Sequence, residues 1–60
     1  MINLQKHNPY EAAGYPSRRA YLEGLADDYG VDIETVLVLA SALGPSEDFD
    51  GLVSELEDQL

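Results

Sequence analysis

From residue 17 onward the apolar positions recur at helical intervals. Tyr21, Leu22, Leu25, Ala26 and Tyr29 are separated by one, three, one and three residues, which places them on one face of a predicted helix at 17–29. Ser17, after Pro16, has the side chain of an N-cap. Gly30 is placed to end the helix in the left-handed conformation. A second helix is predicted at 32–43, with Asp32 as its cap, Glu34 near the positive end of its dipole, and Val31 and Val36 at hydrophobic-staple positions. Gly44-Pro45 stops it. Phe49, Leu52, Val53, Leu56 and Leu60 form an apolar stripe that predicts a third helix at about 46–59, with Glu47, Asp48 and Asp50 at its N-terminal end.

Residues 1–16, "MINLQKHNPYEAAGYP", hold neither a period of two nor one of 3.6. Asn8-Pro9, Gly14 and Pro16 punctuate them as turns or an extended arm. Ile2 and Leu4 alternate as in a short strand, but nothing else in the chain offers it a pairing partner. Tyr10 and Tyr15 are expected to fold back and pack on the helices. The division is therefore an irregular arm at 1–16 and a three-helix domain at 17–60.

The stretch "LADDYGVDIETVLVLASALG" (25–44) gives the helical region a more specific shape. Ala26 is small where two helices would cross, and Gly30 sits where the turn between them needs positive φ. Leu25, Tyr29, Val31, Val36 and Leu39 match the positions that are buried in the helix-turn-helix family. With these residues the segment from Leu22 to Ser41 resembles the helix-turn-helix motif. The resemblance implies an all-α fold, a small three-helix bundle with a helix-turn-helix-like core. As a whole the chain is similar to short acidic proteins of bacterial phages and mobile elements, through "YPSRRAYLEGLA" and "LGPSEDFDGL". That likeness implies no activity.

The usual work of the motif is to read DNA from the exposed face of its second helix. The matching positions here are Asp32, Ile33, Glu34, Leu37 and Val38. None donates a hydrogen bond to guanine O6 and N7, and two are carboxylates that would face phosphates. Net charge is −9, and it is one-sided. Residues 31–60 hold eight carboxylates and no Lys or Arg, whereas Lys6, Arg18 and Arg19 nearly balance the acids of the first half. Such a surface repels nucleic acid and anionic membranes and suits a basic partner. The same acidity also serves solubility. The polar opening "MINLQKHNPYE" lacks a signal-peptide pattern, and no apolar run approaches the roughly 20 residues of a membrane span. A cytoplasmic protein is expected.

The second predicted helix is apolar nearly all round. Either it lies at the centre of the fold, or Ile33, Leu37 and Val38 remain as an exposed interface for another protein, most simply a second copy. Asp48, Asp50, Glu55, Glu57 and Asp58 form the expected acidic surface, which would let the protein act instead as a nucleic-acid mimic against a basic DNA-binding protein.

"SEDFDGLVSELE" (46–57) also resembles a calcium-binding EF-hand loop. Asp48 and Asp50 stand at ligand positions three and five, Gly51 at the turn and Glu57 at the bidentate position. Ser46 replaces the usual first Asp, Gly44-Pro45 replaces the incoming helix, and the unbroken apolar stripe favours helix over loop. No metal site, catalytic group or cofactor is expected. His7 is the single His, there is no Cys, and adjacent acids such as Asp27-Asp28 read as solvated helix faces. Arg18 and Arg19 read as surface salt-bridge formers or, at the start of a helix, as an anion site. A chain of 60 residues without disulfides needs a tight helical core or self-association for stability.

Overall fold

Ser17 turns the chain into its first long helix. Its backbone is extended, and its Oγ accepts a hydrogen bond from the Ala20 N–H at 3.1 Å, satisfying one of the donors left free at a helix start. The computed structural model describes residues 9–59. A short helix α1 (Pro9–Ala12) is followed by α2 (Arg18–Tyr29), α3 (Ile33–Leu43), a 3-10 turn (Pro45–Glu47) and α4 (Gly51–Gln59). Among the described residues there is no strand, and α3 packs against both α2 and α4 in an all-α bundle. The strand considered at Ile2 and Leu4, His7, and the last position of the apolar stripe, Leu60, lie outside the described residues.

Gly30 ends α2 at φ 66°, ψ 35°. The Val31 N–H donates to the Ala26 carbonyl at 3.0 Å and the Gly30 N–H to that of Asp27 at 3.3 Å. This paired closure satisfies two carbonyls of the last turn and is open to glycine because it has no Cβ. Asp32 occupies the cap position of α3, but its side chain makes no capping bond. Its backbone carbonyl instead accepts from Thr35 and Val36.

The core is drawn from three helices: Tyr21, Leu22, Leu25 and Ala26 of α2, Val36 and Ala40 of α3, and Leu52 and Leu56 of α4. Val36 and Ala40 are four apart, as are Leu52 and Leu56, so each pair lines one helix face. Val31, Ile33, Leu37, Leu39 and Val53 are half-buried around them.

Two expectations need correction. The arm is not irregular throughout, since Pro9–Ala12 form α1 and Tyr10 packs on the body. Proline suits a first helical position because its missing N–H would have no partner there. The third helix does not run from 46. Gly44 takes φ 91°, Pro45 opens a 3-10 turn, and α4 begins only at Gly51. The Glu47 carboxylate then accepts the Gly51 N–H at 3.2 Å. A Cβ at Gly51 would approach that same carboxylate oxygen to 2.6 Å. Phe49 consequently leaves the helical stripe and stacks on Tyr21, with ring centroids 4.4 Å apart.

Gly24 sits inside α2, where glycine costs about 1 kcal/mol relative to alanine. Its space is taken by Tyr15, whose Cε1 would lie 2.9 Å from an added Cβ. Gly24→Ala is therefore expected not to stabilise the native protein, but to stabilise the Tyr15→Ala variant by about 1 kcal/mol in denaturant unfolding. Equal gains in both backgrounds would show that the ring does not set the preference for glycine.

Candidate functional site

Asp48 was expected on the acidic surface, and the structure buries it completely. At the turn before α4 its side chain points inward, four and eight residues ahead of Leu52 and Leu56, which are also fully buried. An isolated carboxylate there would be costly. Arg18, at the first position of α2, meets it with both arms of its guanidinium: Nε lies 2.6 Å from Oδ2 and Nη2 lies 3.0 Å from Oδ1. Tyr10, from α1, donates its hydroxyl to Oδ2 at 2.6 Å. The Tyr21 hydroxyl donates to the Asp48 backbone carbonyl at 2.8 Å. Arg18 Nη2 also reaches the Ala40 carbonyl in α3, at 3.4 Å.

Burial pushes the Asp48 carboxyl up, but hydrogen bonds from Arg18 and Tyr10 and the attraction of Arg18 outweigh it and hold the group below the ordinary carboxylate value. Arg18 is held above its ordinary value, chiefly by the hydrogen bond to Asp48. Burial, and then the Asp48 charge, push the Tyr21 phenol up to about 12. These groups are all held in their ordinary charge states near neutral pH. Among the described residues no buried side-chain nitrogen or oxygen lacks a hydrogen-bond partner.

Around this node lie aromatic rings. Tyr10 sits 5.7 Å from Tyr21 and 5.5 Å from Phe49, and Tyr15 meets Tyr21 edge-on at 5.3 Å. The folding-back of Tyr10 and Tyr15 is thus observed. No local spacing announced the Arg18 to Asp48 pair, because the two are 30 positions apart. One signal was present: Asp48 belongs to the same fourfold spacing as Leu52 and Leu56, which marks it as an inward acid in need of a cation.

The expected interface residues separate. Ile33 and Leu37 are half-buried against the core, whereas Val38 is 67% exposed. Val38, Glu34, Thr35 and Leu39 of α3, with Gln59 of α4, line an open groove of about 330 Å³. The other expected surface acids, Asp50, Glu55, Glu57 and Asp58, are exposed. Glu57 accepts a long hydrogen bond from the Tyr29 hydroxyl, at 3.4 Å. Arg19 pairs with Glu23 on α2 at 3.0 Å, so both arginines have carboxylate partners.

The segment 46–57, which resembles a calcium loop in sequence, is helical from Gly51 onward. It is the end of a 3-10 turn, a tight turn and most of α4, and Asp48 is turned inward onto Arg18. Among the described residues no group of three His, Asp or Glu side chains is placed to hold a metal ion. No helix among them is long and apolar enough to cross a membrane.

Fold and site together define a small all-α bundle fastened by an ion pair between a buried carboxylate and a partly exposed arginine. No protein-family model matches the chain, and neither a curated protein nor a solved structure matches it.

Arg18→Met, which leaves the buried Asp48 carboxylate without its cation, is expected to cost about 1–3 kcal/mol, less than in a fully buried pair because the Arg18 side chain is 35% exposed. Adding Asp48→Leu should recover most of that loss in a thermal or denaturant melt. Acid should act through the same group. The folded carboxyl titrates below its unfolded value of about 3.9, so the unfolded chain binds the proton first. The stability Asp48 contributes is complete above that value and disappears as pH falls through the lower folded value. Asp48→Asn should flatten this acid limb, and an unchanged limb would refute the assignment.

Proposed function

We propose that the protein is a non-enzymatic binding module that uses the face of α3, in a helix-turn-helix-like frame, to hold another protein. The observation that carries this reading is Val38, two-thirds exposed in the middle of an apolar helix and beside an open groove. A large apolar side chain held on rigid helix surface suits a protein partner. Glu34 lines the same groove on the surface, so the partner is basic at the rim of the contact. Nucleic acid and anionic membranes are disfavoured as partners, because Arg18 and Arg19 are already paired with Asp48 and Glu23. A second copy docking through the same helix is the simplest partner, in a two-fold arrangement. The setting that fits is the cytoplasm, in line with the likeness to phage and mobile-element proteins.

A second reading is favoured by the uncompensated carboxylates Asp50, Glu55, Glu57 and Asp58. In it the acidic face imitates nucleic acid and occupies a basic DNA-binding protein. Salt separates the two. Raising ionic strength from about 0.15 M to 1 M shortens the screening length from about 8 to 3 Å, which dissolves a charge-driven contact and spares an apolar one.

Immobilised protein is expected to retain its partner from a lysate of the cells that express it after a high-salt wash, and Val38→Glu should lose at least about tenfold of that capture, as for truncation of an interface anchor. Sedimentation velocity at increasing concentration tests the second copy directly. Full capture by Val38→Glu at high salt would remove α3 from the interface, and release of wild type by salt alone would favour the mimic.

A further inference from the structure

Of the five glycines, only Gly51 follows an aspartate. An Asp-Gly step is chemically labile, because a glycine nitrogen has no side chain beside it to hinder attack on the preceding carboxyl carbon. Asp50 is exposed, and its carbonyl accepts the Ser54 N–H at 3.0 Å to begin the backbone bonding of α4. Gly51 is the first residue of α4, so its own N–H lies outside the helical ladder. That N–H is held instead by Glu47 Oε1, at 3.2 Å.

The glycine and the glutamate depend on each other. A Cβ at position 51 would approach Glu47 Oε1 to 2.6 Å, so a larger residue would push the carboxylate off the amide. The glycine that makes the step labile is therefore also what lets Glu47 reach the N–H. Attack on Asp50 requires the Gly51 nitrogen to give up its proton and to turn toward Cγ. A carboxylate bonded to that N–H opposes both, since its charge stabilises the protonated nitrogen and the bond fixes the peptide plane.

We propose that Asp50-Gly51 is a site of spontaneous covalent modification, the rearrangement of aspartate to isoaspartate through a cyclic imide, and that Glu47 restrains it. In the first step the Gly51 nitrogen bonds to Asp50 Cγ, and a carboxyl oxygen leaves as water with the N–H proton. In the second step water opens the ring. Cleavage at Cγ restores aspartate, and cleavage at the original carbonyl carbon leaves a main chain that runs through Cβ. One water is released and one consumed. The product adds a carbon to the main chain and removes from it the carbonyl that Ser54 uses. It does so between Asp48 and Leu52, both fully buried, and so displaces α4 from the Arg18–Asp48 pair. None of Glu47, Asp50 and Gly51 lines the α3 groove, and the site stands independently of the function proposed for it.

The test is to age the intact chain near neutral pH in water enriched in the heavy oxygen isotope. Mass spectrometry of the peptide spanning residues 50–51 then reads isotope uptake and the isoaspartate linkage. Glu47→Ala should speed uptake roughly ten- to a hundredfold over wild type, the range for losing a hydrogen bond to a charged group. Glu47→Gln, which keeps a neutral acceptor, should fall between the two, and Asp50→Ser should take up none at this position. Repeating the ageing at low urea separates the folded chain from the unfolded one. The acceleration in Glu47→Ala should not change with urea, whereas one that followed the slope of global unfolding would overturn the proposal. An equal rate in Glu47→Ala would also overturn it, as would a slower one, the sign of a carboxylate acting as base.

Discussion

A carboxylate without solvent exposure can stay ionised among apolar side chains only if its charge is answered, and Arg18 answers that of Asp48 at two points. The rest of the architecture depends on that match. A planar guanidinium facing both carboxylate oxygens fixes orientation as well as distance. It therefore sets where the start of α2 lies relative to the turn before α4. The same guanidinium touches the Ala40 carbonyl of α3, and Tyr10 brings in α1. One inward acid thus gathers four segments of a chain that has no disulfide.

This also explains the shape of the connection between α3 and α4. Continuous helix from 46 would be the cheaper backbone, and the acids there suit a helix start. The chain instead makes a 3-10 turn and a tight turn, which aims Asp48 inward and Phe49 at Tyr21. Glu47 supplies the missing cap by accepting the Gly51 N–H. A buried ion pair adds little stability over apolar packing. The apolar core contributes the stability, and the pair contributes the position of the pieces around it.

Much of the bundle was legible because its signals are local. Ser17 and Gly30 mark the two ends of α2 through backbone chemistry that depends on a few neighbouring residues, and the spacing of Leu22, Leu25 and Ala26 shows which face turns inward. What was not legible is long-range. Asp48 looked like one more acid in an acidic tail, because its burial depends on an arginine 30 residues away. The same blindness placed Phe49 in the helical stripe and left residues 9–12 without a helix. α3 illustrates the limit of pattern at a finer scale. Its apolar residues run all round the helix, and only packing against α2 and α4 decides that Val36 is buried, Ile33 and Leu37 are half-covered and Val38 is open.

The use of arginine connects this fold to its surface. A chain with three basic and twelve acidic side chains has few cations to distribute. Arg18 is drawn inward by Asp48, and Arg19 lies along α2 against Glu23. Both stand at the start of a helix, where a free pair would attract an anion, and each is instead engaged by a carboxylate. The interaction that secures the bundle therefore also engages one of the chain's few cations. Glu34 lines the small apolar opening beside Val38, and Asp50, Glu55, Glu57 and Asp58 add exposed carboxylates with no cation paired to them on α4 itself.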